Sequence, residues 1–307
     1  MISAKDVANL RERTGAGMMD CKKALTEAAG DMEKAVDLLR EKGLAAAAKK
    51  AGRVAAEGVV EAYIAADAKV GVIVEVNCET DFVAKTDEYK AFCAEIAQVI
   101  AEQAPADVEA LSALQVNGQS VADYLTAKIA KIGENISIRR FARFAAAAGV
   151  VDAYIHGGGR IGVLIEVGCD NAAACDNAEL KTFCRDMAMQ VAAANPEFIK
   201  RDDVPAEVVE REKNIARTKA INEGKPEKIL DKIVDGSLEK YYKEFCMLEQ
   251  VYIKENDQTV QKHLAKTASS VGAALSLNNF ARFMVGEGIE KKQSNLAEEV
   301  AAMSAGH

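Results

Sequence analysis

The sequence repeats itself, and that restricts the fold more than any other feature. Residues 58–93 align without gaps on residues 149–184 at an offset of 91, with 15 of 36 positions identical. Gly58-Val59-Val60 falls on Gly149-Val150-Val151, Glu75-Val76 on Glu166-Val167, Cys78 on Cys169, and Phe92-Cys93 on Phe183-Cys184. A second gapless match, at an offset of 139, lays residues 119–144 on 258–283; both segments end in FARF. Together they describe one duplicated domain whose second copy carries 48 extra residues, inserted between about 193 and 257. Each position where the copies differ is then an internal control on what the scaffold itself requires.

Within each copy the pattern has one order. Two β-rich runs come first (58–65 and 70–77; 149–156 and 161–168), joined by a short turn. A helical run follows at about 87–103 and 178–194, where Phe92, Ile96, Val99 and Ile100 recur at three-and-four spacing. A second helix and a closing strand complete the unit. The expected fold class is α+β: a duplicated α/β-sandwich core of small antiparallel sheets covered by helices.

The insertion reads as a helical hairpin over about 198–247. Val204, Val208, Ile215 and Ala216 stripe its first arm, Gly224-Lys225-Pro226 breaks it, and Ile233, Leu238, Tyr241, Tyr242 and Phe245 stripe the return. A protruding antiparallel coiled coil and a helix pair lying flat on the domain fit this pattern equally well. Ahead of the core, helical patterns over about 3–13, 17–29 and 31–43 form a three-helix unit. Gly30-Asp31 supplies a stop and a cap within it. Residues 286–307 read as a C-terminal helix with Ile289, Leu296, Val300 and Met303 near one face. The expected domains are 1–54, 55–147, 148–285 with the hairpin inside it, and 286–307.

Composition narrows function mostly by exclusion. The net charge of −8 disfavours nonspecific nucleic-acid binding, because phosphate neutralisation supplies most of that affinity. No run of 18 apolar residues is present, so no membrane span is expected. The opening residues MISAKDVANLRER are too polar for a secretory leader. Seven cysteines without a CxxC pair argue against a disulfide framework or a zinc site, and favour a reducing cytosol. No His–Cys or His–Glu metal spacing and no catalytic constellation occurs, so neither cofactor nor enzymatic activity is expected.

One stretch stands apart: NCETDFVAKTDEY, residues 77–89. An aromatic at a strand exit ordinarily fills the core, and an aspartate there ordinarily caps a helix. At the register of Thr80-Asp81-Phe82-Val83, however, the second copy reads Asn171-Ala172-Ala173-Ala174. A core position would have kept a large apolar residue unless the two copies repacked differently, so Phe82 reads equally as a core residue and as a candidate wedge for a partner. Gly157-Gly158-Gly159 lacks the GK[ST] ending of a phosphate loop and reads as a hairpin turn, which places His156 at the surface. On the second N-terminal helix, Met18, Cys21, Leu25 and Ala28 share a face expected to be core. Met19 lies about 100° away among polar neighbours as an adaptable contact.

LRERTGAGMMDCKKAL (10–25) and NCETDFVAKTDEY resemble the two signatures of the bacterial elongation factor Ts family. HGGGRIGVLIEV (156–167), ANPEFIK (194–200) and VGEGIEK (285–291) extend the resemblance along nearly the whole chain. The resemblance implies a guanine-nucleotide exchange factor for elongation factor Tu, with a UBA-like N-terminal unit. Arg11, Met18 and Met19 match positions that grip the partner's GTPase domain. Thr80, Asp81, Phe82 and Val83 match a segment that intrudes near the partner's Mg²⁺ site, and His156 matches a loop facing another domain of the partner. The hairpin matches a coiled-coil or dimerisation arm, and a homodimer or 2:2 complex stays open. Two other readings compete: a nucleic-acid or ubiquitin-type binding adaptor, and an enzyme.

Overall fold

The computed structural model describes residues 2–14 and 16–290. Three helices open it: α1 (Ala4–Thr14), α2 (Met18–Glu27) and α3 (Met32–Lys50). Asp31 caps α3 by accepting from the N–H groups of Glu33 and Lys34. Val7, Leu10, Cys21, Ala24, Leu25 and Ala35 form the core of this unit. Helix α3 continues through the alanine run 45–48, where no breaker intervenes before Gly52.

The first copy follows as β1 (Glu57–Ile64), β2 (Val70–Cys78), the short α4 (Asp81–Ala84), α5 (Asp87–Gln103), α6 (Val108–Ala113), β3 (Gln115–Val116), β4 (Gln119–Ser120), α7 (Val121–Ile132) and β5 (Ser137–Ala145). The second comprises β6 (Gly149–His156), β7 (Ile161–Cys169), a 3₁₀ turn (Ala172–Asp176), α8 (Ala178–Ala194), the helices α9 (Ala206–Asn222) and α10 (Leu230–Phe245), β8 (Val251–Tyr252), β9 (Glu255–Thr259), α11 (Val260–Val271) and β10 (Leu275–Met284). Each copy builds a three-stranded sheet, β1-β2-β5 and β10-β7-β6. The pairing of β6 with β7 is antiparallel, with Val151 opposite Glu166 and His156 opposite Ile161. The α+β architecture read from the sequence is the one observed.

By internal contacts the described residues fall into two units, one of residues 2–14, 16–61, 74–141 and 284–290, the other of 62–73 and 142–283. In the first, α3 packs on α7; Gly43 lies where a Cβ would stand 3.7 Å from the Cβ of Ala130, and Arg40 pairs with Asp123 at 2.7 Å. Tyr89, Phe92, Ile96 and Leu111 are among its largest buried side chains, with Leu10 and Leu25. In the second unit α8 lies on β6 and β7 over a core that includes Val163, Ile165, Phe183, Met187 and Tyr252.

The duplication extends to backbone detail. Gly58 and Gly149 hold φ of +136° and +135°, and a Cβ on either would sit about 2 Å from the carbonyl oxygen of Val76 or Val167. Only glycine fits both conditions. Helices α9 and α10 pack on each other as the expected hairpin, through buried Ala216, Ala220, Leu230 and Val234. Ile215, placed in the apolar stripe by spacing, is exposed instead, and Ala220 takes the contact because small side chains let the helices approach. Residues 286–290 form turn and coil rather than the start of a helix: Gly286 has positive φ and its N–H donates to Glu75. The remainder of the expected C-terminal helix, with Leu296, Val300 and Met303, lies outside the described residues.

Candidate partner-binding site

At the end of β2 the chain makes one helical turn, α4, and immediately starts α5. Thr80 caps the turn, its Oγ1 accepting from the N–H of Val83 at 3.3 Å. Thr86 caps α5 the same way, accepting from Tyr89 at 3.3 Å, and its hydroxyl donates to the Val83 carbonyl at 2.8 Å. Glu134, just after α7, grips the turn from outside. One carboxylate oxygen accepts from the N–H groups of Glu79 and Thr80 at 3.1 and 3.0 Å; the other accepts from the Thr80 hydroxyl at 2.6 Å. Glu79 in turn accepts from the N–H of Asn135 at 2.6 Å and pairs with Arg53 at 3.4 Å. Burial pushes the Cys78 thiol up to about 12, so it stays protonated and donates to the Thr80 carbonyl at 3.2 Å.

What this framework presents is Phe82, 80% exposed. Ala84 is buried and Val83 half-buried, so the turn is anchored on one side while the ring stands in solvent. Asp81 lies at the helix start and pairs with Lys85 one turn on, at 2.5 Å. The site therefore offers a large apolar ring beside a carboxylate on a turn whose backbone takes part in five of these hydrogen bonds. Among the described residues, no group of three His, Cys, Asp or Glu is placed to hold a metal ion.

A second exposed apolar patch belongs to the three-helix unit. Arg11 is exposed in the last turn of α1, and Met18 and Met19 open α2 with 49% and 62% exposure. Cys21, Leu25 and Ala28 are core as their spacing predicts, but Met18 is not. It is the first residue of α2, and helical side chains lean toward the N-terminus, which carries this one past the last layer of packing. Its exposure brings it onto the same surface as Met19. His156, in the other unit, is exposed at the end of β6 where residues 157–160 turn with positive φ at all three glycines. Its Nδ1 shares a hydrogen bond with the Tyr154 hydroxyl at 2.9 Å, and Arg185 lies over the Tyr154 ring at 5.7 Å.

The comparisons with known proteins agree on one family. The family model described as elongation factor TS matches residues 79–287. An elongation factor Ts of Clostridium perfringens is 54% identical over 304 residues, covering 99% of each chain. Those of Clostridium botulinum and Trichlorobacter lovleyi are 53% and 50% identical, over 98% of each chain. The chain belongs to the elongation factor Ts family. As a family member it is a translation factor, and no described helix is long and apolar enough to cross a membrane.

The structure places Thr80 through Val83 on one rigid turn, and Arg11, Met18 and Met19 on adjoining ends of α1 and α2. Glu134 went unread in the sequence although a signal existed. The second alignment sets it against Ala273, so this acid vanishes from the second copy together with the Thr-Asp-Phe-Val stretch it holds.

Proposed function

We propose that the chain is the guanine-nucleotide exchange factor of elongation factor Tu and that Phe82 is its wedge. The carrying observation is an aromatic ring left 80% exposed by a turn whose backbone is held throughout. The ring enters the partner's GTPase domain beside the Mg²⁺ site, with Asp81 bringing its charge against the cation's ligands. Loss of the cation exposes phosphate charge and GDP leaves. Factor and nucleotide weaken each other reciprocally, as linkage demands. Arg11, Met18 and Met19 grip the GTPase domain, and His156 meets a second domain of the partner. The division at 54, 147 and 285, with a C-terminal module from 286, gives these contacts separate carriers. The 198–247 hairpin serves as a coiled-coil arm for a homodimer or 2:2 complex. No covalent chemistry is assigned.

Magnitudes require this spread. Burying one phenylalanine yields roughly 1.5–3 kcal/mol, which is about one to two decades of rate at ~1.36 kcal/mol per decade. Larger accelerations need the additional patches. The test is release of labelled GDP from elongation factor Tu. Phe82→Ala is expected to slow it about ten- to a hundredfold without lowering the unfolding temperature. Unchanged release removes the wedge; a large loss of stability returns Phe82 to the core.

A further inference from the structure

Where the first copy has Ala84, the second has Cys175, and this thiol does not stand alone. Cys175 and Cys169 both direct their sulfur at one acceptor, the carbonyl of Asn171, at 3.7 and 3.2 Å. Burial raises the Cys169 thiol first, and the neighbouring Cys175 adds to the shift, so the two sulfurs interact. A third group completes the cluster. Lys69 donates to the Gly149 carbonyl at 2.6 Å and to the Cys175 sulfur at 3.8 Å. The ammonium thus meets one neutral carbonyl and one thiol. An ammonium beside sulfur stabilises the charge that develops when the thiol attacks an electrophile. Cys169 ends β7 and Cys175 sits in the five-residue 3₁₀ turn; both thiols are buried, while Ala172 and Ala173 of the same turn are exposed.

We propose that Cys175 and Cys169 form an oxidation site that takes hydroperoxides, with Cys175 as the attacking thiol, Cys169 as the resolving thiol and Lys69 as the positioning cation. In the first step the Cys175 sulfur attacks one peroxide oxygen: an S–O bond forms, the O–O bond breaks, and the thiol proton leaves with the departing hydroxyl as water. In the second the Cys169 sulfur attacks Cys175: the S–S bond forms, the S–O bond breaks, and the Cys169 proton leaves with the hydroxyl as a second water. Two thiols lose two electrons and two protons, and one hydrogen peroxide becomes two waters. The closing bond is about 2.05 Å, and the two sulfurs approach it from 3.2 and 3.7 Å of the same carbonyl oxygen. The first copy cannot do this, since Ala84 offers no sulfur.

Both cysteines fall in one tryptic peptide, 161–181, and Cys184 lies outside it. The full chain is treated with hydrogen peroxide, free thiols are alkylated, and the peptide is weighed without reduction. The expected product is this peptide lighter by two hydrogen masses and unalkylated, with the other five cysteines still alkylated. Cys175→Ala, the residue of the first copy, should abolish the product, and Lys69→Gln should slow it about tenfold. Thermal unfolding of both variants checks that they fold. Two free thiols after treatment, oxidation of all seven at one rate, or Lys69→Gln reacting like the parent would each overturn the assignment. If both variants failed to fold, formation of the light peptide in the parent ahead of any other cysteine's oxidation would decide alone.

Discussion

At the ends of β2 and β7 the same chain path is drawn twice with different residues on it. In each, a cysteine donates to the carbonyl two positions on, at 3.2 Å. In each, the acid that follows the cysteine accepts a backbone N–H from across the domain: Glu79 from Asn135 at 2.6 Å, Asp170 from Ala274 at 2.8 Å. Thr86 and Asn177 then cap the long helices. Both turns are capped, by Thr80 and by Asn171, but only the first copy adds the Glu134 grip and an exposed ring; the second puts alanines there, with Ala173 exposed. Retention of the path without the ring means the scaffold does not need Phe82. Addition of a grip exclusively where the ring stands means the ring needs the scaffold.

The sharpest break between the copies lies three residues before these cysteines. Glu75 and Glu166 occupy the same register, but the Glu75 side chain is fully buried against Arg139 at 3.0 Å, Arg140 at 2.6 Å and the Gly286 N–H at 2.8 Å. Glu166 meets the amides of Asn278 and Asn279 at 3.3 and 2.7 Å. Removing one partner of a buried ion pair leaves the others uncompensated, so Glu75→Gln should cost about 3 kcal/mol. Glu166→Gln should cost under about 0.5 kcal/mol. Denaturant unfolding checks both, and equal costs would erase the distinction. The acid side adds a sign. Although burial alone would raise Glu75, its hydrogen bonds and the two arginines hold it below the ordinary 4.5. Its contribution is present above that pH and is lost as pH falls through the lower native value. Glu75→Gln should flatten the stability profile there.

Next in size is the reciprocal of the wedge test. Ala173→Phe installs the ring on the second copy's turn. Exchange should stay at the parent level, against the loss of one to two decades for Phe82→Ala. A chain with both changes that recovered exchange would show that any exposed ring suffices and would dissolve the comparison. Glu134→Ala is milder. It strips three hydrogen bonds from a partly exposed turn, worth about 1–2 kcal/mol to stability, and should lower exchange by less than Phe82→Ala does. If exchange fell with Glu134→Ala but not with Phe82→Ala, the grip and not the ring would be the contact.

How much of this was readable in the sequence follows from the range of each interaction. The strands at 57–64 and 149–156 and the helices at 87–103 and 178–194 sit where the β-rich runs and the three-and-four spacing put them, because those patterns are local. The hairpin follows from the offset between the two alignments. Phe82 was legible only through its alanine counterpart, since periodicity alone would have buried it. Met18 was misplaced because spacing gives the face of a helix but not where the packing stops along it. The Glu134 grip and the meeting of Lys69 with Cys175 join residues 54 and 106 positions apart, and no local pattern encodes such pairs.

The smallest difference is also internal to the two cores. Tyr124 stands edge-on to Phe92 at 5.3 Å and donates to Glu95 at 2.5 Å. The second copy has His263 at that register, 5.3 Å from Phe183 and stacked 4.2 Å from Tyr252. Asp186, the counterpart of Glu95, is already taken by the Tyr252 hydroxyl at 2.6 Å and by Lys254, and neither buried ring nitrogen of His263 has a partner. Burial holds this imidazole below its ordinary 6.5. The unfolded chain therefore takes up the proton first, so stability is whole above about 6.5 and declines as pH falls through the native value. Phenylalanine keeps both ring contacts and removes the nitrogens. His263→Phe should stabilise the fold, and by more at pH 5 than at pH 8, read as a larger rise in unfolding midpoint at the lower pH. A variant weaker than the parent at both pH values would mean that the imidazole has a bonded partner, and that the second core is as well satisfied as the first.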